Sequence, residues 1–285
     1  MTPKSTIRGA LLLVGTFLIG GLAKAAPETA ASDLYILSVG AEPWLAEKGE
    51  RDLYGYDAQF VGQALVAAAP LHKSIHSRVL TGRNANPQQV LEGVQWMTDN
   101  MKAADLGIVF FSTHGTNDKK AGFFNDLYSI DGKETSSKLY GKQLNAALAK
   151  ISGQMLVWVD ACEAGGLIES PKETPPNTSY FLASTREESS YGQEESMDRP
   201  HGHFVAALCD GLKGYADENR DGTVTVGELA TYLPLHTKKL EPLQTCVFQI
   251  RDDHKNIALA RVDTHAMKPH YLSQGKQRKK MLRAP

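Results

Sequence analysis

Short apolar runs alternate along the chain with amphipathic stretches in which apolar residues recur about every three or four positions. The apolar runs predict strands over residues 34–39, 77–81, 106–112, 155–159, 179–184 and 247–250. The amphipathic stretches predict helices over residues 57–69, 87–101, 140–150 and 203–212. Strands that alternate with helices favour an α/β domain, and continuous apolar runs suit burial on both faces of a parallel sheet. We therefore predict a mainly parallel six-stranded sheet flanked by helices.

Two of the predicted strands are followed by residues that can carry chemistry. His114 and Gly115 follow the third strand, and Cys162 follows the fourth. Sites in open parallel sheets form outside the carboxyl ends of the strands, so neighbouring strands would bring these residues to one crevice. The imidazole can take the thiol proton, and the backbone N–H groups of Gly115 and Cys162 can hold an oxyanion. A single histidine or cysteine is more often a packing residue, but the two together indicate a catalytic pair.

The residues around this pair resemble the motifs of the caspase and metacaspase family of cysteine peptidases. The matching segments are Ser112-Thr113-His114-Gly115 and Asp160-Ala161-Cys162, each at the end of an apolar strand. The resemblance spans about residues 33–234 and implies a caspase-like (caspase–haemoglobinase) fold, within a predicted domain of residues 33–260. It also implies a cysteine endopeptidase with Cys162 as the nucleophile and His114 as the base. After the cysteine this chain has Glu163-Ala164-Gly165, where the family often has His-Ser-Gly.

The resemblance further implies a preference for a basic side chain before the cleaved bond. Metacaspase-like enzymes bind arginine or lysine with an aspartate at the position of Asp160, and Asp57 resembles the second aspartate of that pocket. Two carboxylates can hold a guanidinium through charge-assisted hydrogen bonds. The alternatives are a helix N-cap for Asp57 and a strand-end turn residue for Asp160. Ser184, which ends the fifth predicted strand, is assigned to the same pocket, and the expected partner is a protein or peptide substrate.

A second motif, over residues 217–228, fits the twelve-residue calcium loop of EF-hands. The predicted ligands are oxygen atoms of Asp217, Asn219, Asp221, Thr223 and Glu228. Oxygen donors in this order suit Ca²⁺ better than zinc, which prefers nitrogen and sulfur. The alternative is a loop that kept its turn shape and lost the metal. Residues 229–240 predict the exiting helix, broken at its proline, and no organic cofactor is expected.

Composition and charge limit the class of protein further. The 285-residue chain has 42% hydrophobic residues, 22% charged residues and a net charge of −1. Such a chain is expected to fold, and it lacks the positive charge that would make it a nucleic-acid binder. Three cysteines leave at least one unpaired, and a bond between Cys209 and Cys246 stays open.

The first 25 residues predict a secretory signal peptide. Lys4 and Arg8 precede an apolar run, and the sequence Ala23-Lys24-Ala25 follows it. The alternative is an uncleaved membrane anchor, although the run is short for a span of about 20 residues. No span is expected in the mature chain, so we predict an exported protein, periplasmic or secreted. Residues 261–285 form a basic C-terminal tail.

Three functions are therefore consistent with the sequence. The first is a cysteine endopeptidase that cleaves after arginine or lysine. The second is a catalytically silent caspase-like binding module, and the third is a calcium-stabilised structural protein. Because both members of the Cys–His pair are present and the third function leaves the strand-end motifs unexplained, the sequence favours the enzyme. The natural substrate and the oligomeric state are left open.

Overall fold

The computed structural model describes residues 32–46, 53–67, 71–192 and 201–262. The predicted signal peptide and almost all of the predicted basic tail lie outside the described residues. The strands are β1 Leu34–Ala41, β2 Ile75–Thr81, β3 Leu106–Asp118, β4 Gly122–Tyr128, β5 Ser136–Tyr140, β6 Gln154–Asp160, β7 Thr178–Leu182, β8 Thr223–Thr225, β9 Val247–Gln249 and β10 Ala258–Arg261. The α-helices are α1 Pro43–Ala46, α2 Leu53–Ala67, α3 Pro87–Asn100, α4 Gly141–Leu148, α5 His203–Asp210 and α6 Val226–Leu240.

The centre of the molecule is a sheet with the strand order β2-β1-β3-β6-β7-β9. All neighbours in this order run parallel except β7 and β9, which pair antiparallel. The prediction of a mainly parallel six-stranded sheet flanked by helices is therefore confirmed. The sequence analysis missed β4 and β5, which continue antiparallel from the long carboxyl end of β3.

Alternating side chains of the strands enter two separate hydrophobic cores. In β1, Leu34 and Ile36 face one core, whereas Tyr35 and Leu37 face the other. Helices α2, α5 and α6 cover the first core, and α3 and α4 cover the second. Burial of both faces explains why the strands read as continuous apolar runs.

The register of the strands brings their carboxyl ends to one edge. Gly40 of β1 lies opposite Ser112 of β3, and Ser112 in turn lies opposite Asp160 of β6. Each of these residues is followed within two positions by a polar or nucleophilic side chain, namely Glu42, His114 and Cys162. This edge of the sheet therefore carries a carboxylate, an imidazole and a thiol from three adjacent strands.

Two helix predictions need correction. Helix α2 begins at Leu53, four residues before the predicted start, so Asp57 lies inside the helix and is not its N-cap. Helix α6 begins at Val226 and runs through Pro234 without the predicted break. The buried side chains of Leu229 and Leu233 hold this helix against the core, which compensates for the backbone hydrogen bond that proline cannot make. Among the described residues, no helix is long and apolar enough to cross a membrane.

Candidate active site

The His114 and Cys162 segments meet at the carboxyl edge of the sheet. Gly115 packs so closely on the next strand end that an added Cβ atom would lie 2.4 Å from the carbonyl oxygen of Cys162. No side chain fits there, so the glycine after His114 lets β3 contact the loop that holds Cys162. Strand β3 runs on to Asp118, so His114 and Gly115 lie within it and do not follow it as predicted. The structure therefore brings together the segments that the sequence predicted to meet.

The two candidate catalytic side chains nevertheless have other hydrogen-bond partners. The Cys162 thiol lies 3.7 Å from the carbonyl oxygen of Ser190, and the Ser190 N–H donates to its sulfur at 3.4 Å. Nε2 of His114 lies 2.7 Å from a carboxylate oxygen of Glu42. Within the described chain, no hydrogen bond joins His114 to Cys162. Hydrogen bonds between catalytic groups often tighten only when substrate is bound, so the two side chains remain a candidate pair.

Glu42 is a site residue that the sequence analysis missed. It follows β1 directly and is 3% exposed. The rings of Trp44 and Tyr54 lie edge-on to the His114 imidazole, with centroids at 4.8 and 5.1 Å. The search for functional residues after each strand would have found Glu42 if it had been applied to the first strand as well.

A cavity of about 210 Å³ opens beside the cysteine. Its walls include Cys162, Tyr54, Ser190 and the two predicted pocket residues, Asp57 and Asp160. Both carboxylates are buried, and they come from different elements, helix α2 and the end of β6. The cavity is therefore an acidic pocket next to a thiol.

Asp160 has fewer hydrogen-bond partners than Asp57. It is 5% exposed, and one oxygen accepts a hydrogen bond of 2.5 Å from the Ser190 hydroxyl. Its other oxygen, Oδ2, is buried without a hydrogen-bond partner among the described residues. Burial, and secondarily the charge of Asp57, raises the pKa of Asp160 to about 7, against the lowering effects of the Ser190 hydroxyl and of the Val205 N–H in the first turn of α5. The Val205 N–H acts on this carboxylate electrostatically but makes no hydrogen bond of good geometry with Oδ2.

Asp57 has several partners. Nδ1 of His201 lies 2.7 Å from Oδ1, while Oδ2 accepts hydrogen bonds from the Ser112 hydroxyl at 2.9 Å and the Gly202 N–H at 3.3 Å. His201 is itself buried and stacks on Phe60, with ring centroids 4.4 Å apart. The sequence analysis missed His201, which is 144 positions from Asp57 and carries no local signal.

Gly202 closes the acidic pocket beside both carboxylates. A Cβ atom on this residue would lie 2.0 Å from Oδ2 of Asp160 and 3.5 Å from Oδ2 of Asp57. Only a glycine leaves the unpaired oxygen of Asp160 open to the cavity. This glycine opens α5, which the sequence analysis had identified as a helix.

The loop after the cysteine is held by polar contacts to Asn117 and Ser184. Glu163 has a left-handed backbone conformation (φ 55°), and its carboxylate accepts the Asn117 N–H at 2.6 Å. The buried Ser184 hydroxyl donates to the carbonyl of Ala161 at 2.9 Å and accepts from the N–H of Ala164 at 3.1 Å. Ser184 therefore stabilises the loop through two hydrogen bonds, and it does not line the acidic pocket as predicted. The Glu-Ala-Gly sequence after the cysteine is compatible with an ordered loop.

The predicted calcium loop folds as a sequence of tight turns. Asp217 accepts hydrogen bonds from the backbone N–H groups of Asp221 at 3.2 Å and Gly222 at 3.0 Å. Asp221 accepts the Thr223 N–H at 2.9 Å, and the amide oxygen of Asn219 accepts the Asp221 N–H at 2.8 Å. Gly222 has a φ of 83°, which suits glycine at the sixth position.

The last predicted ligand of this loop, Glu228, contacts both the loop and the start of α6. Its Oε1 lies 3.5 Å from the Asn219 N–H. Its Oε2 accepts hydrogen bonds from the backbone N–H and the hydroxyl of Thr225, both at 2.9 Å. The Glu228 N–H donates to the Thr225 hydroxyl, which completes a capping box at the start of α6. No group of three or more histidine, cysteine or acidic side chains with metal-binding geometry occurs in the part of the chain that the structure describes.

Of the remaining two cysteines, Cys209 is buried and Cys246 is half-buried. Cys209 and Cys246 are both free, so the bond that the sequence analysis left open is not formed. Burial raises the pKa of Cys246 to about 12 and raises that of Cys209 further. A thiol with a raised pKa forms little thiolate at neutral pH, which leaves Cys162 as the candidate nucleophile.

Comparison with known proteins identifies the fold and the family. The family model described as Caspase domain matches residues 51–242. The chain belongs to the caspase-domain family. A caspase domain indicates a cysteine peptidase-like function, with a protein as the class of substrate.

Among solved structures, the caspase domain is similar to the crystal structure of protein GSU0716 from Geobacter sulfurreducens. The two are 14% identical with a TM-score of 0.54, and the match covers 81% of this chain and 100% of the other. At this identity the similarity shows a shared fold alone. No curated protein is significantly similar to the chain.

Proposed function

We propose that the protein is a cysteine endopeptidase that hydrolyses peptide bonds after arginine or lysine, with Cys162 as nucleophile and His114 as base. The observation that carries this proposal is the acidic pocket beside Cys162, in which Oδ2 of Asp160 is buried without a partner. A buried, unpaired carboxylate oxygen is costly, and a cationic side chain would remove that cost. Membership of the caspase-domain family supports the peptidase activity itself.

The preference for a basic side chain follows from the number of free acceptors in the pocket. Asp57 has hydrogen-bond partners at both oxygens, so Asp160 offers the open site. An arginine guanidinium can donate several hydrogen bonds in one plane, and a lysine ammonium can donate three. An acidic substrate side chain would meet two carboxylates, and the neighbouring donors of Ser190 and His201 already serve those carboxylates. Cleavage after aspartate is therefore disfavoured.

The reaction begins when the Cys162 thiol turns from Ser190 towards the His114 imidazole. The S–H proton passes to a ring nitrogen, and the thiolate attacks the carbonyl carbon of the scissile bond. The backbone N–H groups of Gly115 and Cys162 donate to the resulting oxyanion. The C–N bond then breaks, the leaving amine takes the proton from the imidazolium, and water hydrolyses the thioester to release the acid product.

The test is a cleavage profile of the protein against a peptide library with varied residues before the cut. We expect cleavage after arginine and lysine, its loss in Cys162→Ala, and its retention in Cys209→Ala, which removes a buried thiol outside the pocket. Cleavage mainly after aspartate or apolar residues would contradict the specificity. Activity that survives Cys162→Ala would contradict the mechanism.

A catalytically silent binding module is the second candidate, and one observation favours it. The thiol and the imidazole each contact other groups and not each other. A thiol-directed peptide electrophile with a basic side chain separates the candidates. The enzyme would be labelled at Cys162 faster than by a matched electrophile with an acidic side chain, whereas the silent module would react with both equally slowly.

We also propose that residues 217–228 bind Ca²⁺, as a stabilising ion. The turn conformation and the cluster of oxygen atoms from Asp217, Asn219 and Asp221 support this role. Glu228 would have to exchange its hydrogen bonds with Thr225 for the ion, so binding competes with the capping box. The expected consequence is greater stability with calcium and little direct effect on cleavage.

A further inference from the structure

Glu42 is a buried carboxylate that contacts the candidate base. Its Oε2 lies 2.7 Å from Nε2 of His114, and its Oε1 is buried without a hydrogen-bond partner among the described residues. The residue is also held through its backbone, because the Tyr128 hydroxyl donates to the Glu42 carbonyl oxygen at 3.1 Å. The carbonyl and the carboxylate thus contact different partners, and the carboxylate is the group that faces the imidazole.

We propose that Glu42 is a positioning residue that sets the tautomer and the orientation of His114, and this proposal rests on the proposed function. A carboxylate only accepts hydrogen bonds, so Nε2 must carry the proton of the shared hydrogen bond. The lone pair of a neutral imidazole is then on Nδ1, which is the nitrogen left to receive the Cys162 proton. After that transfer the imidazolium keeps its Nε2–H donated to Glu42, and no second proton transfer is needed.

The surroundings of His114 strengthen this assignment. Trp44 and Tyr54 border the ring edge-on, which restricts its rotation about the Glu42 hydrogen bond. The other ionisable residues beside the imidazole are Asp126, opposite it in β4, and Tyr54, whose ring lies edge-on to it. Burial raises the pKa of Asp126, and this carboxylate accepts a hydrogen bond from the Ser136 hydroxyl, whereas Glu42 is the carboxylate that contacts the imidazole.

A purely structural role does not account for the geometry. A carboxylate with one oxygen buried and unpaired stabilises a fold poorly, since desolvation of the charge opposes the gain from a single hydrogen bond. The desolvation of Glu42 has a function if its negative charge stabilises the imidazolium that forms when His114 takes a proton. Glu42 would then act on proton transfer to the base and not on recognition of the basic side chain.

The experiment compares Glu42→Gln with Glu92→Gln in the full chain. Glu92 is an exposed residue of α3 whose carboxylate accepts hydrogen bonds from Gln88 and Gln89, so it matches the chemical change far from the site. The readouts are kcat and KM on an arginyl peptide, the pH profile of Cys162 alkylation by iodoacetamide, and the melting temperature. Alkylation in Cys162→Ala gives the background from the other thiols.

We expect Glu42→Gln to lower kcat about 100-fold with a smaller change in KM, because the base loses its partner charge. The pH profile of alkylation should move to higher pH, since the imidazolium–thiolate form loses its stabilising carboxylate. Glu92→Gln should leave both readouts unchanged. An identical alkylation profile in the wild type and Glu42→Gln overturns the proposal, even if the melting temperature falls.

The two proposals can fail separately. If Cys162→Ala abolishes cleavage but Glu42→Gln retains kcat and the wild-type alkylation profile, the peptidase stands and the role of Glu42 is wrong. If the wild type cleaves no peptide, the proposed function is wrong, and alkylation alone decides whether Glu42 controls the His114–Cys162 proton transfer. A shifted profile then supports the positioning role, and an unshifted one overturns it.

Discussion

The acidic pocket and the 217–228 loop both gather carboxylates, but they satisfy them in opposite ways. In the loop, the carboxylate of Asp217 accepts two backbone N–H groups from the same turn. In the pocket, Oδ2 of Asp160 has no partner in the described structure, and its neighbour Asp57 relies on a histidine from a distant segment. A carboxylate that accepts hydrogen bonds from its own turn stabilises that turn. A buried carboxylate oxygen without a hydrogen-bond partner calls for an explanation, and a ligand that donates to it is one.

The largest expected effect comes from removing the charge of the incomplete carboxylate. Asp160→Asn should lower kcat/KM for arginyl peptides by about 100-fold, because the substrate cation loses a buried charged partner. The matched change Asp217→Asn should leave kcat/KM within about threefold, since that carboxylate serves its own turn. Steady-state kinetics on the same peptide measures both. Equal losses in the two variants would remove the functional distinction between the regions.

The pH dependence of cation binding should sharpen the same contrast. Because the pKa of Asp160 is about 7, the pocket gains a negative charge as the pH rises through that value. The affinity for benzamidine, a small guanidinium-like cation, should therefore increase from pH 6 to pH 8 by up to about tenfold. Calorimetry at several pH values checks this, and Asp160→Asn is the control. A pH-independent affinity in the wild type would show that Asp160 is not the group that receives the cation.

Stability should also respond to pH through Asp160. Its pKa is near 4 in the unfolded chain and about 7 in the folded protein, so between these values the folded state binds more protons. The free energy of unfolding should therefore fall as the pH rises from about 4 to about 7. Urea denaturation of the wild type and Asp160→Asn tests this, with the decline smaller in the variant. A variant with the same decline would assign the effect to other groups.

The carboxylates of the 217–228 loop should stabilise the folded state, and changes to them should have the smallest effects. Asp217→Asn should destabilise the protein by about 1–2 kcal/mol without calcium, because a charged acceptor of two N–H groups is weakened. Calcium should raise the melting temperature of the wild type by a few degrees, which corresponds to about 1–2 kcal/mol. Thermal denaturation with and without the ion measures both quantities.

Glu228→Gln is the matched variant for the calcium effect. Glutamine can keep the capping box with Thr225, so the apo stability should change little while the response to calcium weakens. Calorimetry that detects no calcium binding to the wild type would leave the loop as a turn only. A response of cleavage that is all-or-none and lost in Glu228→Gln would make the loop a switch and not a stabilising element.

The sequence predicted the sheet and the approach of the His114 and Cys162 segments because both depend on regular signals. Two-sided burial produces apolar strands, and the carboxyl ends of parallel neighbours lie at one edge. The role of Asp160 was implied by the resemblance to metacaspases, and the turn over residues 217–228 was implied by a local spacing of oxygen-bearing residues. Membership of the caspase-domain family agrees with the predicted fold.

Only the tertiary structure decided which polar atoms meet at that edge. Glu42 reaches His114 across 72 positions of sequence, and His201 reaches Asp57 across 144. Ser184 shows the same limit, because its strand was predicted, while its position behind the loop depends on the packing of β7 against β6. Periodicity encodes how deeply a residue is buried, but the partner of a buried carboxylate is set by strand register and by the close approach of helices. Those long-range contacts decide whether a charge is satisfied by its own turn or left open for a ligand.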